Sequence, residues 1–208
     1  MFSLEKLLTQ DDQFLRLLEA SAEEGLASAQ ALTRVLKDPA VTSLEAFAVS
    51  RRKDKEITTQ INDLLCGTPV TGLEREDIEE LSNALYKIPK TVEKFAERYQ
   101  RTAAKLTGVT FDRQAALLEQ ATLAVVRLVK ALRARAGLEE IKRENAALQQ
   151  IEGDADKLML DLLDNLYNSE PSAVKVVILK DLYEILEKVV DRCRDAGVVV
   201  THIVIKHS

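Results

Sequence analysis

The apolar positions of this chain recur at a constant displacement. Ile57, Ile61, Leu65, Leu81, Leu85, Ile88 and Val92 return 101 positions later as Leu158, Leu162, Leu166, Leu182, Leu186, Val189 and Cys193, without a gap. Internal repetition is the constraint to read first, because it says that one packing unit has been used twice. In a chain of 208 residues each copy is about half the length, near the lower end of domain size. One pseudo-symmetric domain with a division at 1–106 and 107–208 is the expected organisation.

Within each copy the apolar spacing is three and four residues. Leu15, Leu18, Ala22, Gly25, Ala29, Leu32 and Leu36 trace one buried helix face. No useful stretch alternates with period two, so no sheet is expected. The first helix spans about 11–37 and stops at Asp38-Pro39, since proline disfavours helical geometry in the residue before it. A second runs to about 65, capped by Thr42 or Ser43 and ended by Gly67 and Pro69. A third opens in the acidic stretch 74–80, which suits the positive end of a helix dipole, and reaches about 106 with an interruption at Pro89. The second copy repeats the plan at about 112–136, 138–168 and 173–206, with Pro171 in the last turn. The expected fold is all-α: two tandem three-helix bundles built from six long, coiled-coil-like helices.

Composition agrees with long helices and short connections: 46% of residues are apolar, 30% are charged, and there are seven Gly, four Pro and no Trp. A formal net charge of −5 argues against general nucleic-acid binding, which needs a basic field. Met1-Phe2-Ser3-Leu4-Glu5 does not read as a signal peptide, and no run approaches the ~18 apolar residues of a membrane span. A soluble, cytoplasmic protein is expected. Cys66 and Cys193 lack a CxxC spacing and fall among apolar helical positions, which reads as two reduced core thiols.

The repeat preserves apolar positions but reverses charge. Glu152, Asp156, Glu187, Asp191 and Asp195 stand where the first copy has Arg51, Lys55, Tyr86, Lys90 and Lys94. Residues four apart lie one above the other on a helix. An antiparallel hairpin centred near residue 172 would therefore bring Glu152 level with Asp191, and Asp156 level with Glu187. Asp191 has Lys188 and Arg194 on its own helix and Asp195 has Arg192, whereas Glu152, Asp156 and Glu187 have no base three or four residues away.

Four readings are open at this point. The carboxylates hold a hard cation, for which all-oxygen ligands suit Mg²⁺, Ca²⁺, Mn²⁺ or ferric iron. They are simply solvated. They pair across the pseudo-twofold interface with Arg51, Lys55 and Lys90. Or the basic set Arg51, Arg52, Lys53, Lys55, Lys87, Lys90 and Lys94 forms an anion pocket, although no glycine-rich cradle accompanies it.

Together with the tandem three-helix repeat, the E-x-x-x-D pairs Glu152/Asp156 and Glu187/Asp191, the continuation to Asp195 and the segment Thr68-Pro69 followed by Arg75-Glu76-Asp77-Ile78 resemble the PhoU-like family. The nearer resemblance is to the branch regarded as accessory proteins of Pit-type phosphate transporters. It implies a metal site at Glu152, Asp156, Glu187, Asp191 and Asp195, a metal of unspecified identity (Mg, Ca, Mn, Fe, Ni or Zn) and no organic cofactor. It also implies regulation of phosphate transport through a membrane transporter or signalling protein, at the inner face of the membrane; the sequence leaves open whether the chain forms a homo-oligomer. The first copy departs from the family pattern, because Arg51, Lys55, Tyr86 and Lys90 replace its acids.

Catalysis is not expected. No histidine precedes His202, which removes the Glu-x-x-His pairs of dinuclear oxidases and any histidine-based triad from the body of the chain. A metal-free scaffold that docks a partner is the remaining alternative, with its acidic and basic flanks paired between repeats.

Overall fold

The computed structural model describes residues 4–37, 44–68 and 70–207. Six α-helices follow one another: α1 (Leu4–Lys37), α2 (Glu45–Gly67), α3 (Arg75–Thr102), α4 (Asp112–Arg133), α5 (Leu138–Ser169) and α6 (Ala173–Lys206). A single 3₁₀ turn, Ala103–Lys105, follows α3, and no strand occurs among the described residues. The Asp38-Pro39 stop, the Thr42 or Ser43 cap and Pro69 lie outside those residues.

The periodic stripes account for the helices, and local chemistry sets several of their ends. Ser172 caps α6 by accepting from the Lys175 amide at 3.4 Å. Arg75, at the start of α3, donates to the carbonyls of Leu65 and Thr68, each at 2.7 Å, and so satisfies the exposed end of α2. Two expectations are corrected. Helix α3 runs unbroken through Pro89, which is buried against the core, so packing compensates for the missing hydrogen bond. Cys66 is exposed near the end of α2, one position off the buried stripe residue Leu65, while Cys193 is buried.

Helix α1 packs on α2 and α3, α4 packs on α5 and α6, and the two bundles join through α1 against α4 and α3 against α6. One contiguous apolar core runs through both, from Phe14 and Leu18 to Val189 and Ile203. The aromatic residues concentrate at the junction. Phe95, Tyr99, Phe111 and Tyr183 meet with ring centroids 5.6 to 5.9 Å apart, joining α3, the entry to α4, and α6. Helices α3 and α6 run antiparallel, pinned by Arg98 on Asp181 at one end and by Lys206 on Asp77 (2.7 Å) and Glu74 (2.9 Å) at the other.

Candidate functional site: two hairpins of opposite charge

In the second bundle, α5 and α6 form the expected antiparallel hairpin, and the five acidic residues lie along its seam, half-buried. Glu187 reports their proximity. Its carboxyl is held above the usual range, first by burial and then by the negative charges of Asp191, Asp156 and Glu152, with Lys188 opposing.

Spacing places Arg194 beside Asp191, and what it did not reveal is that the same guanidinium reaches across the hairpin to Glu152. Its Nη1 donates to Glu152 Oε1 at 2.6 Å, and its Nη2 lies 3.1 Å from Asp195 Oδ1 and 3.5 Å from Asp191 Oδ1. Helical side chains lean toward the helix N-terminus, which lets Arg194 reach the level of Asp191, and hence Glu152. Lys188 pairs with Asp191 at 3.4 Å, and Arg192 with Asp195 at 3.1 Å, as their spacing suggested. Asp156 and Glu187 have no hydrogen-bond or ion-pair partner among the described residues. As the side chains stand, no three of His, Cys, Asp or Glu among the described residues converge in a way that would hold a metal ion. The guanidinium of Arg194 occupies the place between Glu152 and Asp191.

The first bundle carries the same device with reversed polarity. Arg51 Nε donates to Glu93 Oε2 at 3.2 Å, and Glu93 lies 101 positions before Arg194. The pair Arg51–Glu93 between α2 and α3 is thus repeated as Glu152–Arg194 between α5 and α6. Arg51 also donates through Nη2 to the Tyr86 hydroxyl at 2.8 Å and stacks over its ring at 4.4 Å. This overturns the expectation that Arg51 pairs with the acidic set across the interface. The Lys55, Lys90 and Lys94 ammonium groups are likewise not paired with it among the described residues; Lys90 lies 5.8 Å from the Tyr86 ring. Constant helix register explains this: α2 lies beside α3, so the nearest counter-charge is the one on its own hairpin.

A second polar feature belongs to the first bundle alone. Asp54 is fully buried between α1 and α2, accepts from Ser21 Oγ at 2.6 Å, and has Arg51 Nη1 3.8 Å from its other oxygen, which lacks a hydrogen bond. Burial pushes its carboxyl up to about 6, against the pull of Ser21 and Arg51. The matching pair in the second bundle is Thr122 and Ala155, and there the threonine hydroxyl bonds its own helix at Leu118 O, 3.0 Å away.

This arrangement of six helices in two bundles is the PhoU-like fold. The resemblance read from the sequence therefore holds at the level of the fold. No family model matches the chain. The structure is similar to that of a PhoU-like protein from Shewanella oneidensis MR-1, with a TM-score of 0.72, 18% identity, and coverage of 96% of this chain and 99% of that one. A second structure from the same organism, of a protein proposed to be a PhoU-like phosphate regulatory protein, gives a TM-score of 0.71 at 18% identity with the same coverage. In sequence the chain is similar to the UPF0111 protein YkaA of Bacillus subtilis (strain 168), 24% identical over 172 residues that span 80% of this chain and 83% of the relative.

Proposed function

We propose that this protein is a non-catalytic, PhoU-like regulator of phosphate transport, and that its second bundle takes a divalent or ferric cation on the α5–α6 seam. The observation that carries the regulatory reading is the likeness to PhoU-like structures over 96% of the chain. In this reading the protein works in the cytoplasm, at the inner face of the membrane, by docking a phosphate transporter or its signalling partner. No described helix is long and apolar enough to cross a membrane itself.

The cation reading rests on Asp156 and Glu187, two half-buried carboxylates on facing helices without partners among the described residues. Among the described residues the five carboxylates on the seam meet only Lys188, Arg192 and Arg194, so negative charge is left over. The all-oxygen donor set fits a hard cation. Glu152 and Asp191 would join Asp156 and Glu187 once Arg194 turned aside, and Asp195 would follow. The second reading, a metal-free scaffold, is favoured by the Glu152–Arg194 pair, which already neutralises part of the set.

Two experiments separate these. Phosphate uptake in cells lacking the protein should differ from that in cells restored with it; equal uptake sinks the regulatory reading. Metal content and the melting temperature of the purified chain should rise with added divalent cation, and the rise should vanish in Asp156→Asn/Asp191→Asn. A melt indifferent to cations in both proteins leaves the scaffold.

A further inference from the structure

The stripe of α5 that carries Glu152 and Asp156 continues, in steps of three and four residues, through Leu160 and Leu163 to Tyr167. On α6 the stripe of Asp191 and Glu187 continues through Glu184 and Lys180 to Val177, with Val174 one step beyond. The seam therefore changes character along its length. It is acidic at mid-hairpin and apolar at the tip, where Leu160 is 62% exposed, Tyr167 56%, Val174 56% and Val177 67%. Single exposed apolar side chains need no explanation, but these are four of the seven large ones exposed among the described residues, gathered at one end of one hairpin. Tyr167 stands close enough to Lys180 to act on its charge, which sets the α5 and α6 parts of the cluster side by side.

Two observations bear on what covers this tip. In the first bundle the positions matching Leu160, Tyr167 and Val177 hold Thr59, Cys66 and Glu76, while Val174 keeps an apolar match in Leu73. The exposed apolar cluster is thus no requirement of the packing that the two bundles share. The charge left over around it is negative. Lys180 pairs with Glu184, and Lys175 with Glu170 at 3.0 Å, whereas Asp156, Asp164 and Glu187 have no ion pair among the described residues.

We infer that the α5–α6 tip docks an amphipathic helix of a partner protein, one whose apolar face ends in a lysine or arginine. The apolar residues of that helix lie on Leu160, Tyr167, Val174 and Val177, and its cation reaches Asp156 and Glu187. From Tyr167 to Asp156 is about 16 Å along α5 at 1.5 Å per residue, which about three turns of a docked helix span. Apolar anchors at three- and four-residue spacing laid in a groove between two helices are a recurring mode of recognition. An anionic lipid surface would meet the same leftover negative charge and be repelled. The inference rests on the regulatory reading, for which it supplies the kind of partner, and it needs no bound cation. A metal ion at Asp156 and Glu187 would compete with the partner's basic group.

The test is fluorescence anisotropy of a labelled, alanine-based helical peptide with three leucines on one face and two lysines one turn beyond them, titrated with the full chain in the presence of a chelator. The wild type should bind it at least about tenfold more tightly than the same peptide with glutamates for the lysines or serines for the leucines. Leu160→Ser/Val177→Ser and, separately, Asp156→Asn/Glu187→Gln should each weaken binding by a similar factor, with melting curves showing that both fold. A wild type that does not bind, equal binding of the glutamate peptide, or folded variants that bind as the wild type does overturn the inference. So does association with phosphatidylglycerol vesicles in place of the peptide. Equal phosphate uptake with and without the protein, while these differences in peptide binding hold, would instead count against the regulatory reading alone.

Discussion

Asp54 is the residue whose surroundings least suit its chemistry. A carboxylate with no exposed surface, one oxygen lacking a hydrogen bond and a guanidinium at 3.8 Å is desolvated more than it is compensated. Its native pKa of about 6 lies above the unfolded value of 3.8, so the folded protein holds the proton more tightly. The contribution to stability is therefore fully present below about pH 4 and is lost as pH rises through about 6. Asp54→Asn keeps an acceptor for Ser21 and removes the charge. It should raise stability at pH 7 by on the order of 2 kcal/mol and flatten the slope of stability between pH 4 and 6, measured by urea unfolding at a series of pH values. A variant less stable than wild type at pH 7, or one with the slope intact, contradicts this account. The position was legible as a core site, since 47, 50, 54, 57, 61 and 65 follow helical spacing. Its charge was overshadowed by the neighbouring Arg51 and Lys55, and the partner Ser21 lies 33 residues away, beyond what spacing reveals.

At the scale of elements, the hairpins are held by mirrored ion pairs. Exchanging Glu152 and Arg194, as Glu152→Arg/Arg194→Glu, reproduces the polarity of the first bundle and should recover part of the stability lost in Arg194→Glu, the remainder being the pairs of Arg194 with Asp191 and Asp195. The coupling should be about 1 kcal/mol or less, because the Arg194 side chain is 37% exposed, and a double-mutant cycle by thermal melting reads it. Additive losses would show that the pair does not act as one. Close approach is the second device. A methyl group on Gly197 would lie 2.6 Å from Asn145 Oδ1 and 2.7 Å from Leu148 Cδ2, so Gly197→Ala should cost roughly 1–3 kcal/mol in the same assay. No loss would mean that α5 yields freely there. The elements themselves were largely readable: α6 runs from Ala173 to Lys206 as its periodicity and Pro171 indicated. Helix α1 begins earlier than expected, at Leu4, because the short apolar start carried no cap signal. The Arg194 bridge was missed although the 101-residue displacement, applied to Glu93, points to it.

Among the described residues one apolar core is shared by two three-helix bundles, and the seven apolar matches in the sequence are the signal that pointed to two such units. What the pattern could not show is which faces of the two units meet. Helical stripes give a buried side, but a helix with two buried neighbours has more than one, and only the folded arrangement sets α1 on α4 and α3 on α6. Phe111 stands at that junction, 2% exposed and in contact with Phe95, Tyr99 and Tyr183. Phe111→Ala should lower stability by roughly 3–5 kcal/mol while unfolding stays a single transition by circular dichroism and tyrosine fluorescence. Two separated transitions would mean that the halves unfold independently.

The oppositely poled bolts of the two hairpins also bear on how a duplicated chain avoids scrambling. Were α2 to pair with α6 during folding, Arg51 would meet Arg194; were α5 to settle on α3, Glu152 would meet Glu93. Equivalent segments of the two hairpins are thus mutually repellent in the wrong combination, so each recognises its own neighbour.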